Sequence, residues 1–280
     1  MPSFTERLTA GWTRAGEMTA LAAVPFVLSL TNVDAIAAIV AHDGFHIGFK
    51  TTLPISVVTV WTFVDPPTTG VSVTSGLPAT APYALVTIPA LALVHAVLSA
   101  GYFGSMGAAV VGRERSFADC VRSHLRPFLV LVFLPYLLFV PLAGGALGLG
   151  AVDGALVALL LLAIPVLFVL GYLFYAAPYL VALRDTDAVT ALRASYALAV
   201  EGGPYLRYAL GFAGFVLLLS PVVSLVVVNV PGVGLLAGIA AGGYLGLVAN
   251  LTTTRFVADI DPETTPAREW DADADGAGEV

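Results

Sequence analysis

The stretch from residue 233 to residue 257, VGLLAGIAAGGYLGLVANLTTTRFV, decides the fold class. It holds one charged residue, Arg255, near its end. A helix needs about 20 apolar residues to cross roughly 30 Å of bilayer hydrocarbon, and this stretch is longer than that. Four glycines recur at every fourth position before Asn250: Gly234, Gly238, Gly242 and Gly246. Because such rows let helix backbones approach closely in lipid, the stretch predicts a tightly packed membrane span.

The composition of the whole chain agrees with a membrane protein. Of its 280 residues 58% are hydrophobic and only 11% are charged, against roughly 25% charged residues in an average soluble domain. These values exclude a disordered chain and an ordinary soluble globule. We predict an all-α membrane domain over residues 1–258 whose six transmembrane helices form three hairpins. The predicted spans are Met18–Val40, Tyr83–Val111, Pro127–Leu149, Gly154–Leu183, Tyr205–Val228 and Val233–Val257.

The charged residues set the orientation and define a tail. The eleven arginines lie in the two termini, in the segments that follow the second and fourth spans, or, for Arg207 and Arg255, just inside the adjoining ends of the fifth and sixth spans. The one lysine, Lys50, follows the first span. Because basic residues stay on the cytoplasmic side, both termini are predicted to lie in the cytoplasm of a multi-pass protein of the cell membrane. The net charge of −7 arises within residues 259–280, which we predict to be an acidic, disordered cytoplasmic tail.

Three segments on the predicted cytoplasmic side begin alike. They are SFTERLTAGW from Ser3, SFADCVRSHL from Ser116 and DAVTALRASY from Asp187. Each starts with a residue type that caps helices, and apolar residues at its second, sixth and tenth positions share a helix face that excludes the arginine. This pattern is typical of a helix at the membrane interface. We predict three copies of an interfacial helix followed by a transmembrane hairpin; chance similarity between three ordinary loops is the alternative.

Residues 41–82 form the one sizeable predicted outer loop. The stretch SVVTVWTFV from Ser56 is rich in β-branched and aromatic residues, DPPTTG from Asp65 is a turn signal, and VSVTS follows. These features predict a small β-hairpin. His42 and His46 are four residues apart, but the glycines around them disfavour a helix, and no third ligand has suitable spacing. We therefore predict neither a metal site nor any cofactor.

The few polar residues within the predicted spans are candidate functional positions. His95, Ser99 and Tyr102 share one side of the second span, and Asn250 lies in the inner half of the sixth. These four are the candidate lining of a polar cavity, but for His95 we favour packing with a hydrogen bond to a neighbouring helix. The second span also carries a row of small residues that, like the glycine row, predicts a tight helix crossing or an oligomer interface. Its members include Ala96, Ala100, Gly104, Ala108 and Gly112.

No motif for nucleotide binding, zinc-dependent proteolysis or serine hydrolysis is found in the sequence. Cys120 and His124 lack a third orienting group, and the dispersed arginines do not predict nucleic-acid binding. Three functions remain. The first is a non-enzymatic membrane protein acting through the bilayer or through membrane partners, namely lipids, a second copy or another membrane protein. The second is a transporter or channel for a small or lipidic molecule. The third is a lipid enzyme, for which His95, His124 and Arg126 are the candidate residues.

The three repeated segments carry a family resemblance. SFTERL, SFADCVR and DAVTALR, with the hairpins that follow them, resemble the integral membrane domain attached to some glycerophosphodiester phosphodiesterases, and related haloarchaeal membrane proteins of unknown function. The resemblance covers residues 3–257 and rests on degenerate motifs and shared architecture. It implies a repeated helical membrane fold. Because this chain contains no soluble phosphodiesterase domain, it implies no hydrolase activity and transfers no catalytic residue.

Overall fold

The computed structural model describes residues 2–67, 84–148, 165–230 and 232–267. Within these ranges the chain is all-helical and contains no strand, which confirms the all-α prediction there. A short 3-10 helix, Thr19–Ala22, links the first two helices. The helices are α1 (Phe4–Glu17), α2 (Ala23–Leu30), α3 (Val33–Val40), α4 (Val60–Phe63), α5 (Ala84–Val110), α6 (Phe117–Gly148), α7 (165–174), α8 (Ala177–Arg184), α9 (Ala188–Glu201), α10 (Pro204–Asn229) and α11 (Val233–Ile260).

Several helices have the length and composition of membrane spans. Among the described residues four qualify, and they coincide with the second, fourth, fifth and sixth predicted spans: Pro89–Val110, Pro165–Arg184, Pro204–Asn229 and Val233–Ile260. A fifth candidate, at the first predicted span, is the pair Thr19–Leu30 and Val33–Val40, which is bent by 69°. The third predicted span lies in α6, which continues to Gly148. Residues 149–164 lie outside the described ranges, so the number six stays a prediction.

The first three helices run along α11 from its end to its beginning. Arg7 of α1 pairs with Asp259, the α2 backbone lies against Gly243, and Ile39 of α3 packs in the same cluster as Leu235. We call the side of the bundle where α11 ends the charged end, and the side where it begins the opposite end. Of the bent pair, α2 therefore lies against the middle of α11, and α3 shares a hydrophobic cluster with residues near its beginning.

The bend between α2 and α3 has a local cause. Asn32 caps α3 by accepting the Ala35 N–H at 3.2 Å, while the Thr31 hydroxyl donates back to the Leu28 carbonyl at 2.8 Å. Both side chains satisfy backbone groups that a helix end leaves free. The polar pair Thr31–Asn32 therefore ends α2 and starts α3.

The three predicted helix starts are confirmed. The Ser3 hydroxyl accepts the Glu6 N–H in a capping box, the Ser116 hydroxyl accepts the Asp119 N–H at 3.2 Å, and Asp187 caps α9. The three segments differ further along the chain. α1 gives way to the 3-10 helix and α9 ends at a glycine pair with positive φ, but α6 runs uninterrupted through the predicted interfacial helix and into the predicted third span.

Arg7 does not take the exposed place on α1 that its sequence pattern predicts. The buried residues of α1 are Arg7, Gly11 and Ala15, which face α11. The guanidinium pairs with Asp259 and lies 5.3 Å from the centre of the Phe256 ring. The two small residues let α1 lie close to α11, and the carboxylate compensates the buried charge. The prediction that this arginine lies on the polar side is therefore wrong.

The start of the predicted tail belongs to the folded body. The Asp261 carboxylate accepts from the Arg184 guanidinium, with Nε 2.9 Å from Oδ2, and Glu263 also pairs with Arg184 at 3.0 Å. Further on, the Ala267 N–H donates to the Val110 carbonyl at 2.9 Å. Residues 261–267 thus lie across the ends of α8 and α5. The remaining predicted tail, residues 268–280, lies outside the described residues.

Candidate functional site

Residues 46–65, which we call the inserted segment, lie between long helices although the sequence predicts an outer loop. At the opposite end of the bundle the His46 N–H donates to Asn229 Oδ1 at 2.8 Å. The Lys50 N–H donates to Ser220 at 2.8 Å, and the Thr51 hydroxyl donates to the Ala213 carbonyl at 3.1 Å. Because an extended chain spans at most about 3.3–3.6 Å per residue, the five steps from His46 to Thr51 carry the segment at most about 18 Å along α10.

The segment then turns at α11 and comes back. The Val58 backbone lies against Gly246 and Val60 against Gly242, which is one turn nearer the opposite end. The Asp65 N–H reaches the Ser224 hydroxyl of α10 at 3.4 Å, and Asp65 also approaches Gly48 of the descending limb. The inserted segment is therefore a hairpin-shaped excursion into the bundle with two neighbouring limbs.

The β-hairpin predicted for this region is not seen in its described half. Val60–Phe63 forms the one-turn helix α4, and the Thr59 N–H donates to the Thr62 hydroxyl at 3.1 Å. The partners of the surrounding backbone are side chains of α10 and α11 rather than a second strand. The second predicted strand, VSVTS from Val71, lies outside the described residues.

Asn250 of α11 holds the turn of the inserted segment. Its Oδ1 accepts the Val58 N–H at 2.8 Å and the Tyr102 hydroxyl at 3.4 Å. Its Nδ2 donates to the Ser56 carbonyl at 3.2 Å and to the Tyr179 hydroxyl at 2.8 Å. An amide oxygen has two acceptor sites and the NH₂ group has two donors, so all four positions are used. The fully buried side chain thus joins the segment to α5, α8 and α11.

Three side chains of α10 hold the two limbs. Ser220 accepts the Lys50 N–H and donates to the Gly48 carbonyl at 3.3 Å, and Asn229 exchanges two hydrogen bonds with the His46 backbone. Ser224 holds the returning limb at Asp65. Because these residues lie four and five positions apart, they share one side of the helix. This polar row was not among the predicted functional positions, although its helical spacing is visible in LLSPVVSLVVVN.

The glycine row of α11 contacts two different partners. Gly234 and Gly238 lie against valines of α10, and a β-carbon added at Gly238 would collide with Val227. Gly242 and Gly246 lie against the inserted segment instead. The second row, on α5, faces α6: Gly104 lies against Cys120 and His124, and Ala100 and Ala108 are buried. The row on α5 therefore contacts α6 at Gly104 and the residue Ala267 at Gly112, whereas the row on α11 also provides the seat for the inserted segment.

Of the four residues of the candidate cavity, two are in direct contact. Tyr102 and Asn250 are fully buried and hydrogen-bonded to each other. Ser99 is buried on α5 one turn before Tyr102. His95 lies apart from Asn250, and its Nε2 is 3.3 Å from the Thr31 hydroxyl at the break between α2 and α3. Tyr179 completes the cluster and was missed, because a tyrosine near the end of an apolar span is also typical of the membrane interface.

At the charged end, Asp185 is bound by two arginines and a histidine. Its carboxylate pairs with Arg113, with both terminal nitrogens of Arg115, and with His124 Nε2 at 2.9 Å. Partial burial opposes ionisation, but the hydrogen bonds from Arg115 and His124 outweigh it and lower the pKa of this carboxyl. Asp185 also has a positive φ of 50°, which is unusual for a residue with a side chain.

Cys120 and His124 are not paired with each other as a nucleophile and its base. His124 Nδ1 lies 3.1 Å from the Cys120 carbonyl, and its Nε2 faces Asp185, so neither nitrogen is paired with the Cys120 thiol. Burial raises the pKa of that thiol, whereas a reactive cysteine needs a lowered one. Asp119 pairs with Arg122 at 3.2 Å.

The side chains of His42 and His46, which lie in the predicted outer loop, are neighbours in the structure. Their ring centres are 5.7 Å apart, and His46 Nε2 lies 2.9 Å from the Asp65 carbonyl oxygen. Across the described parts of the chain, no group of three or more histidine, cysteine or acidic side chains is placed to hold a metal ion.

The fold and the site together define a class: a helical protein with membrane-length helices and an inserted segment held by polar side chains. No family model, curated protein or solved structure matches the chain. Its function is therefore to be sought in the chemistry of its own side chains.

Proposed function

We propose that this chain is a non-enzymatic integral membrane protein that acts through the bilayer or through membrane partners. The observation that carries the proposal is Asn250, whose four hydrogen-bonding positions are all used by groups of the same chain. A solute bound at this centre would have to displace one of these partners and leave a buried polar group unpaired, which costs about 1–3 kcal/mol.

The proposal includes an arrangement in the membrane. Six spans form three hairpins, both termini are cytoplasmic, and the arginines at the charged end face the cytoplasm. The inserted segment is then a re-entrant loop that enters from the outer side. Irregular backbone is tolerated at membrane depth only where protein or a water-filled cavity surrounds it. The row Ser220, Ser224 and Asn229, together with Asn250, meets this requirement from within the bundle.

A transporter for a small or lipidic molecule is the second candidate, and one observation favours it. The break at Thr31–Asn32 lies beside His95, which is partly buried. Discontinuous helices and intramembrane ionisable residues are typical of the substrate sites of transporters. A transport function would require this part of the bundle to open.

The two candidates predict different results in reconstituted vesicles. The non-enzymatic protein gives no saturable efflux of trapped ions, sugars or amino acids above that of empty vesicles. A photo-crosslinking residue placed at the exposed Leu218 of α10 yields adducts with lipid or with a discrete membrane protein, whereas the same residue at the buried Val216 yields neither. Saturable efflux that His95→Ala abolishes would replace the proposal with the transporter.

A further inference from the structure

The three helices that begin with the repeated motifs expose chemically different faces. α1 exposes threonines and acids, namely Thr5, Glu6, Thr9, Thr13 and Glu17, in addition to Trp12. The start of α6 exposes Asp119, Arg122, Ser123 and Arg126 after Phe117. Both faces are mostly polar, as expected for helices that meet water.

The exposed face of α9 is mostly apolar. Val189, Tyr196 and Val200 are 53%, 51% and 63% exposed, and Arg193 is exposed between them. Their positions follow helical spacing, so they form one continuous stripe. The other side of the helix is fixed to the bundle, since the buried Ser195 hydroxyl donates to the Leu173 carbonyl at 2.8 Å. The stripe is therefore presented outward by a firmly seated helix.

The connections of α9 place it at a membrane surface. It starts three residues after the membrane-length helix Pro165–Arg184 and ends two glycines before the next, Pro204–Asn229. A helix joined so closely to two spans lies where those spans leave the bilayer. Tyrosine is enriched at this level, and a helix with an apolar face and arginine is typical of the interface.

Most arginines at the charged end pair with carboxylates, and the exceptions among the described residues are Arg126 of α6, Arg193 and Arg207. Arg7, Arg113, Arg115, Arg122 and Arg184 each pair with a carboxylate. Arg193 and Arg207, the latter in the first turn of α10, are both exposed and form no ion pair with any acidic residue that the structure describes. Glu201, the last residue of α9, is exposed and is the acidic residue nearest to them along the chain. Arg193 thus lies within the stripe, between Val189 and Tyr196, and Arg207 follows at the start of α10, so the region combines apolar side chains with positive charge.

We propose that α9 is a binding helix for anionic lipids. The stripe Val189–Tyr196–Val200 is embedded in the cytoplasmic leaflet, and Arg193 and Arg207 bind lipid phosphate groups. This inference rests on the proposed function, because it names the lipid as the partner through which the protein acts. The exposed faces of α1 and of the start of α6 are more polar than that of α9, which makes α9 the favoured lipid contact among the three helices.

Spin labels test the position of the stripe. Single cysteines at 189, 196 and 200 are introduced into the full-length Cys120→Ser protein, with a cysteine at Thr9 of α1 as the matched exposed control. In vesicles of phosphatidylglycerol and phosphatidylcholine, we expect labels on α9 to collide mainly with oxygen, which concentrates in lipid. The label at position 9 should collide mainly with a water-soluble nickel chelate. Preferential collision of the α9 labels with the nickel chelate would overturn the proposal.

Lipid selectivity tests the arginines. In the same vesicles, spin-labelled phosphatidylglycerol should associate with the protein more strongly than spin-labelled phosphatidylcholine. One arginine near an anionic surface is worth about 1 kcal/mol, so Arg193→Gln should lower this preference about five-fold. Arg193→Lys should retain most of it. Arg122→Gln is the control, because Arg122 is exposed but paired with Asp119.

The outcomes separate this inference from the proposed function. An unchanged preference in Arg193→Gln and Arg207→Gln, or a preference that does not weaken at high salt, would exclude headgroup binding by α9. That result would leave the proposal of a non-enzymatic protein intact. Saturable solute efflux would overturn the proposed function whatever the position of α9.

Discussion

Replacing Asn250 with alanine should release the inserted segment. The change removes four hydrogen bonds, two to backbone groups of the segment and two to tyrosine hydroxyls. The hydroxyls of Tyr102 and Tyr179 can rotate towards other acceptors. The Val58 N–H and the Ser56 carbonyl are fixed by the backbone, so they are left unpaired at the deepest point of the segment.

The expected loss follows from these two backbone groups. Each buried, unpaired group costs about 1–3 kcal/mol, so the free energy of unfolding should fall by about 2–6 kcal/mol. Thr254→Val is the matched control, since Thr254 is one turn further along α11, is equally buried, and donates only to the Asn250 carbonyl of its own helix. Interactions of that kind are worth about 1 kcal/mol or less.

Two measurements test the reasoning. Denaturant unfolding in detergent micelles gives the loss of stability, and hydrogen exchange of peptides covering residues 46–65 locates it. We expect faster exchange of the inserted segment in Asn250→Ala and unchanged exchange in Thr254→Val. Equal exchange of the segment in both variants would show that Asn250 does not hold it, even if the overall stability falls.

Two further predictions concern packing and charge. Gly246→Ala should destabilise the protein by about 1–3 kcal/mol, because the added β-carbon would collide with the Val58 carbonyl. The control is Gly214→Ala, whose β-carbon meets open space and which should be neutral or stabilise the protein by up to about 1 kcal/mol. Thermal unfolding of both variants checks this prediction, and equal melting temperatures would contradict it. The lowered pKa of Asp185 means that its ionised form favours folding, so its contribution is complete above about pH 4 and is lost as the pH falls through the lower folded value. Unfolding measured between about pH 2 and 6 should show a shallower acid limb in Asp185→Asn than in the parent protein, and identical limbs would refute the assignment.

Local features of the sequence predict local structure well. Ser3, Ser116 and Asp187 each cap the helix that they were expected to start, because capping depends on residues two or three positions away. The apolar stretches likewise predict the membrane-length helices, since length and composition are properties of one segment. The glycine row of α11 predicts that another part of the chain packs closely against this helix, but it does not predict that the partner is the inserted segment as well as α10.

The remaining features depend on distant partners. Asn250 lies 192 positions from Val58, and Asp259 lies 252 positions from Arg7. Because the partners are so far apart, the residues next to them in the sequence contain no pattern that predicts either contact. For the same reason the β-branched stretch from Ser56 suggests a strand. Its pattern is that of an extended, half-buried backbone, and the side chains that satisfy this backbone come from helices near the other end of the chain.

The position of the inserted segment has a consequence for biosynthesis. Its seat on α10 and α11 is made from residues that leave the ribosome long after the segment itself. At about 5–20 residues per second, roughly 10–40 s separate the synthesis of Val58 from that of Asn250. During this interval the peptide groups of the segment have water or insertion machinery as their partners. The segment therefore enters the bundle only after the last two helices have been made, which makes its docking a late step of assembly.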